Sequence, residues 1–340
     1  MSATTRFELV CLVAILTIAG CTGAKPAADV RLEKDAGGQL TSVTLVGRNV
    51  TDADIKEIAK SGQQLTELRF QECSRVTSRG MQAFQGAFPQ LKVLDLVRVP
   101  VDDDSLANLA SSTTLANVTL AHTKIVGTGL QHLASCPLKR LAVFSRVVTA
   151  DGMKNLAALQ SLEELELHCQ DLPLKEISAL SQLKNLKKLV AFRTPLGPQG
   201  IEVLKGMAQL EYLHLNSPDI NDDSIASLNT LINLEWAEFD YGTITNQGIK
   251  QLQLPKLKHL SLDGCSAITD DGLGNFAGMP ALESLMLGST GVAGIDLTPL
   301  ANLPNLKVVR LKGNQYKGGD KAIQELKAKL PNCQVIIMQG

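Results

Sequence analysis

The sequence predicts an α/β solenoid of about twelve repeats, and three observations carry that prediction. The pattern LxxLxL begins at Leu40, Leu65, Leu91, Leu115, Leu138, Leu162, Leu186, Leu210, Leu234, Leu257, Leu282 and Leu306, at intervals of 23 to 26 residues. Within each unit the first half alternates, as in Leu257-Lys258-His259-Leu260-Ser261-Leu262, which sends successive side chains to opposite faces of a short strand. The second half recurs every three residues, as at Ile201, Leu204 and Met207, the mark of one face of a helix or 3₁₀ turn. One such unit cannot bury its apolar half alone, but stacked units share a continuous core.

At the front of the repeats, residues 29 to 40 read as a strand and a glycine-containing turn leading into the first repeat strand. In each repeat strand the fourth and sixth positions point inward, and the third, fifth, seventh and eighth are expected outward. Start signals such as Ile268-Thr269-Asp270-Asp271-Gly272-Leu273 follow, where Thr or Asp accepts hydrogen bonds from free N–H groups at a helix start. Glycine recurs just before the first helical apolar residue, at 80, 129, 152, 200, 248 and 272, as suits a crowded turn. At the back, Gly319 to Leu330 reads as an amphipathic helix and Val335-Ile336-Ile337 as a last strand.

Residues 257 to 273 fit LxxLxLxxCxxITDxGL almost completely, with Cys265 in place, and residues 65 to 81 fit it with Cys73, Val76, Thr77 and Gly80. These repeats resemble the leucine-rich repeat family of the cysteine-containing type, over Leu40 to about Leu330. The resemblance implies a horseshoe with a parallel sheet on the concave side and helices on the convex side. The ninth position departs from the pattern with Arg48, Val99, Arg146 and Pro218, so a continuous side-chain ladder along that edge is not expected. Cys73 and Cys265 lie eight repeats apart and are expected to be buried thiols rather than a disulfide.

Before the repeats, Arg6 precedes a ten-residue apolar core at 9–18 and then Ala19-Gly20-Cys21, too short for a membrane-spanning helix of about 20 residues. Ile18-Ala19-Gly20-Cys21 resembles the lipobox of bacterial lipoproteins. That resemblance implies a signal peptide over 1–20, a lipid anchor on Cys21, a short tether over 21–29 and a leucine-rich repeat domain over 30–340. Location would then be the bacterial cell envelope, at the outer membrane or facing the periplasm.

Lys plus Arg is 33 against 34 for Asp plus Glu, a balance that gives no reason to expect a nucleic-acid partner. No GxSxG, HExxH, P-loop or paired CxxC pattern occurs, so an enzyme is not expected. Glu164, Glu166 and an outward Cys169 beside His168 are the residues from which a weak hydrolase would have to be built.

Aromatic residues make up only 4% of the chain, yet the outward strand positions hold its one Trp and two of its three Tyr. Reading the seventh position across successive repeats gives Phe144, His168, Phe192, Asn216, Asp240 and Asp263, with strands about 4.8 Å apart. Tyr212, His214, Trp236, Glu238, Tyr241 and His259 lie beside that column. Clustered exposed aromatics are the substance of binding hot spots, so this surface is expected to bind a protein partner, with a glycan as the alternative. His168, His214 and His259 sit two strands apart in turn, about 10 Å, too far to share one ion, although Asp240 and Asp263 are adjacent. No metal or other cofactor is expected, and the chain is expected to act as a monomer.

Overall fold

The computed structural model describes residues 29–337; the expected signal peptide, the expected lipid anchor at Cys21 and the expected tether up to residue 28 lie outside them. Two compact units are present, a first up to Leu165 and a second from Glu166. The strands are β1 (Asp29–Lys34), β2 (Leu40–Val46), β3 (Glu67–Gln71), β4 (Val93–Val97), β5 (Asn117–Ala121), β6 (Arg140–Phe144), β7 (Glu164–His168) and β8 (Lys188–Phe192). They continue with β9 (Tyr212–Asn216), β10 (Trp236–Asp240), β11 (His259–Ser261), β12 (Ser284–Met286), β13 (Val308–Arg310) and β14 (Gln334–Ile336).

In the first unit β1 pairs antiparallel with β2, and β2 to β6 pair in parallel in chain order. Register aligns Val43, Leu68, Leu94, Val118 and Leu141 as one column, and all five are buried. In the second unit β8 to β14 pair in parallel, and the corresponding column is Leu189, Leu213, Ala237, Leu260, Leu285 and Val309. Each fully buried Leu or Val removes enough apolar surface from water to contribute about 1.5–3 kcal/mol, which is why the repeat spacing is held so closely. The predicted α/β solenoid is what these units build. Opposite the sheet, each repeat returns through a short α-helix or 3₁₀ helix, such as Asn246–Gln251 or Asp270–Gly278.

The TD-x-G signal has a second role besides helix capping. Thr77, Thr149 and Thr245 do accept from N–H groups at their own helix starts. The neighbouring acid reaches instead into the next repeat: Asp222 accepts from the Thr245 N–H at 2.8 Å and its hydroxyl at 2.6 Å. Asp52 grips Thr77 in the same way, and Asn246 holds Thr269. Glycine follows because a Cβ at Gly248 would run into the Asp222 carboxylate, and one at Gly272 into Asn246.

The eighth position corrects the simple alternation. Nine of its residues turn left-handed, namely Gly47, Glu72, Arg98, His122, Arg193, Tyr241, Gly264, Ser289 and Gly313. That turn keeps the ladder bond to the next repeat, as Tyr241 N–H donates to the Asp263 carbonyl at 2.8 Å. Cys169 and Ser217 do not turn left-handed, and their side chains fold inward and are buried. In the Cys169 repeat the N–H donates to the buried Thr194 hydroxyl at 3.0 Å.

Candidate functional site on the sheet face of the second unit

Register from β8 to β11 sets three outward columns side by side. The first runs Lys188, Tyr212, Trp236, His259; the second Val190, His214, Glu238, Ser261; the third Phe192, Asn216, Asp240. His168 stands against Phe192 with ring centres 5.2 Å apart, and Phe192 meets His214 edge-on at 5.8 Å. Within the second unit, His168, Phe192, Tyr212, His214, Trp236 and His259 of the expected cluster are therefore drawn together. Phe144 is half-buried at the end of β6 in the first unit.

The first column is a stack. Lys188 Nζ lies 4.6 Å from the Tyr212 ring centre, Tyr212 and Trp236 are 5.8 Å apart at 13°, and Trp236 and His259 are 3.6 Å apart at 18°. Adjacent strands impose this face-to-face order, so the rings present edges outward and keep their faces for one another. His259, expected to be exposed, is 4% exposed, because the Trp236 indole covers it. Burial also pushes the His259 imidazole below its ordinary pKa. Trp236 and Tyr241 remain 39% and 63% exposed.

The second and third columns are acidic and tightly tied. Glu238 Oε1 accepts from Trp236 Nε1–H at 2.6 Å and from the Tyr212 hydroxyl at 2.8 Å. Burial and that carboxylate together push the Tyr212 phenol well above its ordinary pKa. Asp240 Oδ1 accepts from the Ser261 hydroxyl at 2.7 Å, while burial raises the Asp240 carboxyl. Asp263 is turned the other way, its Oδ1 accepting from Gly288 N–H at 2.6 Å. The pair Asp240 and Asp263 is thus not the group that converges. His214, Glu238 and Asp240 are, with one ligand atom from each within 4.8 Å of the others.

That convergence follows from two numbers in the sequence, the offset of 24 that sets His214 opposite Glu238 and the offset of two that puts Asp240 on the same strand face. Comparing histidines only with one another misses it.

Cys169 is wholly buried, which corrects the outward placement on which a thiol nucleophile depends. All five cysteines of the described residues are buried and none forms a disulfide. Cys73 and Cys265 act as weak donors to backbone carbonyls, and burial pushes their thiols up to about 11 and about 12. Glu166 faces His168 at 2.8 Å.

No family model matches the chain. Among solved structures it is similar to an internalin (InlF) of Listeria monocytogenes, at TM-score 0.62 and 21% identity over 89% of this chain and 91% of that one. It is also similar to a structure of the Rad7 and Elc1 complex of yeast, at TM-score 0.55 and 19% identity over 86% and 84% of the two chains. With the in-phase repeats, these likenesses establish the leucine-rich repeat solenoid as the fold. Among the described residues no helix is long and apolar enough to cross a membrane.

Proposed function

We propose that this chain is a non-enzymatic binding module for a protein partner, and that the partner docks on the sheet face of the second unit. The observation that carries the reading is the exposure of Trp236 and Tyr241, which bracket β10, one at its first residue and the other just past its last. Of five large apolar side chains left exposed among the described residues, these are the two aromatic ones, and they border carboxylates. Aromatic anchors rimmed by polar groups are the usual core of a protein interface. Phe192, Tyr212, Asn216, Asp240 and Asp263 extend the contact surface, while His259 and Glu238 act by fixing Trp236. His168 would widen it.

A glycan is the less supported occupant, because sugar rings stack on aromatic faces and the faces of Tyr212 and Trp236 are taken up by neighbours. A hydrolase is less supported still, given the burial of Cys169. The lipobox resemblance supports a lipid anchor on Cys21 at a bacterial envelope, where the chain would act as a monomer. Metabolic labelling with a palmitate analogue tests that anchor: label on the wild type and none on Cys21→Ser supports it, and equal label on both overturns it.

The binding reading is tested by cross-linking and capture from native membranes, comparing the wild type with a Tyr212→Ala, Trp236→Ala double variant whose fold is checked by circular dichroism. A protein captured by the wild type and lost by the folded variant is the expected result. Equal capture by both would move the site elsewhere.

A further inference from the structure

The geometry points to a divalent transition-metal site formed by His214, Glu238 and Asp240, and we propose Zn²⁺ or Mn²⁺ as its class of ion. Register places His214 on β9 directly opposite Glu238 on β10, and Asp240 follows on the same face. Each carboxylate has one oxygen fixed by neutral donors and the other aimed at the imidazole. Glu238 Oε1 is held by Trp236 and Tyr212, and its Oε2 lies 3.4 Å from His214 Nδ1. Asp240 Oδ1 is held by Ser261, and its Oδ2 lies 3.6 Å from His214 Nε2. Outer donors that orient inner carboxylates in this way are the second layer of protein metal sites.

The simpler explanation is an imidazolium bridging two carboxylates, and the distances disfavour it. Charge-assisted N–H···O bonds close to about 2.7–2.9 Å, well inside both separations. His214 Nε2 is buried and has no hydrogen-bond partner among the described residues. Donor atoms around a tetrahedral ion with bonds near 2.0–2.1 Å stand about 3.3 Å apart, close to the Nε2 to Oδ2 distance. The ion would therefore take Nε2 and Asp240, and Glu238, whose Oε2 faces Nδ1, would join through a side-chain shift from its place within 4.8 Å of the other donors. No Lys or Arg of the described residues pairs with Glu238 or Asp240, so the two carboxylates lack a permanent counter-charge. Asp263 adds to the negative field at Asp240. One imidazole and two carboxylate oxygens suit a borderline ion such as Zn²⁺ or Mn²⁺, with its remaining positions open to the sheet face. The site is independent of the partner reading, because the chain alone would bind the ion.

Calorimetric titration of the full chain, stripped with a chelator, with ZnCl₂ and with MnCl₂ tests this. The expected result is one saturable site per chain for at least one of the two ions, weakened tenfold or more in His214→Gln and in Asp240→Asn. Glu235→Gln, which removes a carboxylate of the same repeat paired with Lys258, serves as the unaffected control. Absence of saturable binding, or binding of equal strength in the His214→Gln variant, would overturn the assignment. Should the variants fail to fold, Co²⁺ absorption of the wild type decides: a protein-bound spectrum abolished by excess Zn²⁺ supports the site, and the spectrum of aqueous Co²⁺ alone refutes it.

Discussion

Trp236 lies flat on His259, ring centres 3.6 Å apart, and this stack converts a histidine of the outward column into a buried support. The indole is held from its other edge by Glu238, so its exposed rim is fixed rather than swinging. Loss of the ring in Trp236→Ala removes the stack, the hydrogen bond and the cover over His259. Chemical denaturation is expected to show a loss of about 1–2 kcal/mol, since aromatic pairs contribute about 0.5–1.5 kcal/mol beyond area burial.

Burial depresses the His259 pKa below its ordinary 6.5. The unfolded chain therefore binds a proton that the folded chain refuses in the window from 6.5 down to the lower folded value. Stability from this residue is complete above that window and is lost as pH falls through it. Denaturation midpoints measured from pH 7 to pH 5 should fall more steeply for the wild type than for His259→Phe. Parallel curves would show that His259 titrates alike in both states.

Gly248 faces the carboxylate of Asp222 from the preceding repeat. Adding a methyl in Gly248→Ala forces that clamp open and is expected to cost about 2 kcal/mol, within the range for overpacking. Asp222→Ala, which strips two hydrogen bonds from Thr245, should cost about 1–3 kcal/mol. Thermal unfolding of the two single variants and the double variant measures both effects, and a double-variant loss smaller than their sum would confirm the contact.

Thiol alkylation provides a check on the chemistry of the face. Iodoacetamide at pH 8 should leave Cys73, Cys136, Cys169, Cys265 and Cys333 unmodified in the folded protein and label all five on unfolding, as read by mass spectrometry, since all are buried. Rapid labelling of Cys169 in the folded protein would contradict its placement.

The fold was legible because one spacing recurs: Leu68, Leu94 and Leu213, Leu260 occupy equivalent slots, and an interval near 24 can be counted without any structure. The clustering of Tyr212, Trp236 and Glu238 was legible for the same reason. What a repeat-by-repeat reading lacks is the direction of a side chain at a turn. Cys169 and Tyr241 hold the same eighth position, yet one is buried and the other 63% exposed, because only Tyr241 takes a left-handed backbone. Contacts across the repeat boundary were hidden too. Asp222 reads as a helix-start residue within its own repeat, and its role emerges only beside Thr245.

Tyr241 offers the cleanest probe of the central claim that the sheet face at β10 binds a protein. Its φ of 59° is the turn that glycine occupies in other repeats, so Tyr241→Gly should leave stability within about 1 kcal/mol of the wild type. The most direct measurement is photo-cross-linking in native membranes with a benzophenone amino acid placed at Tyr241 or at Gln247, which is exposed on the helical side of the same repeat. A discrete protein adduct formed from position 241 and not from 247 is the expected result. Adducts from 247 alone would place the interaction on the helical side and contradict the assignment.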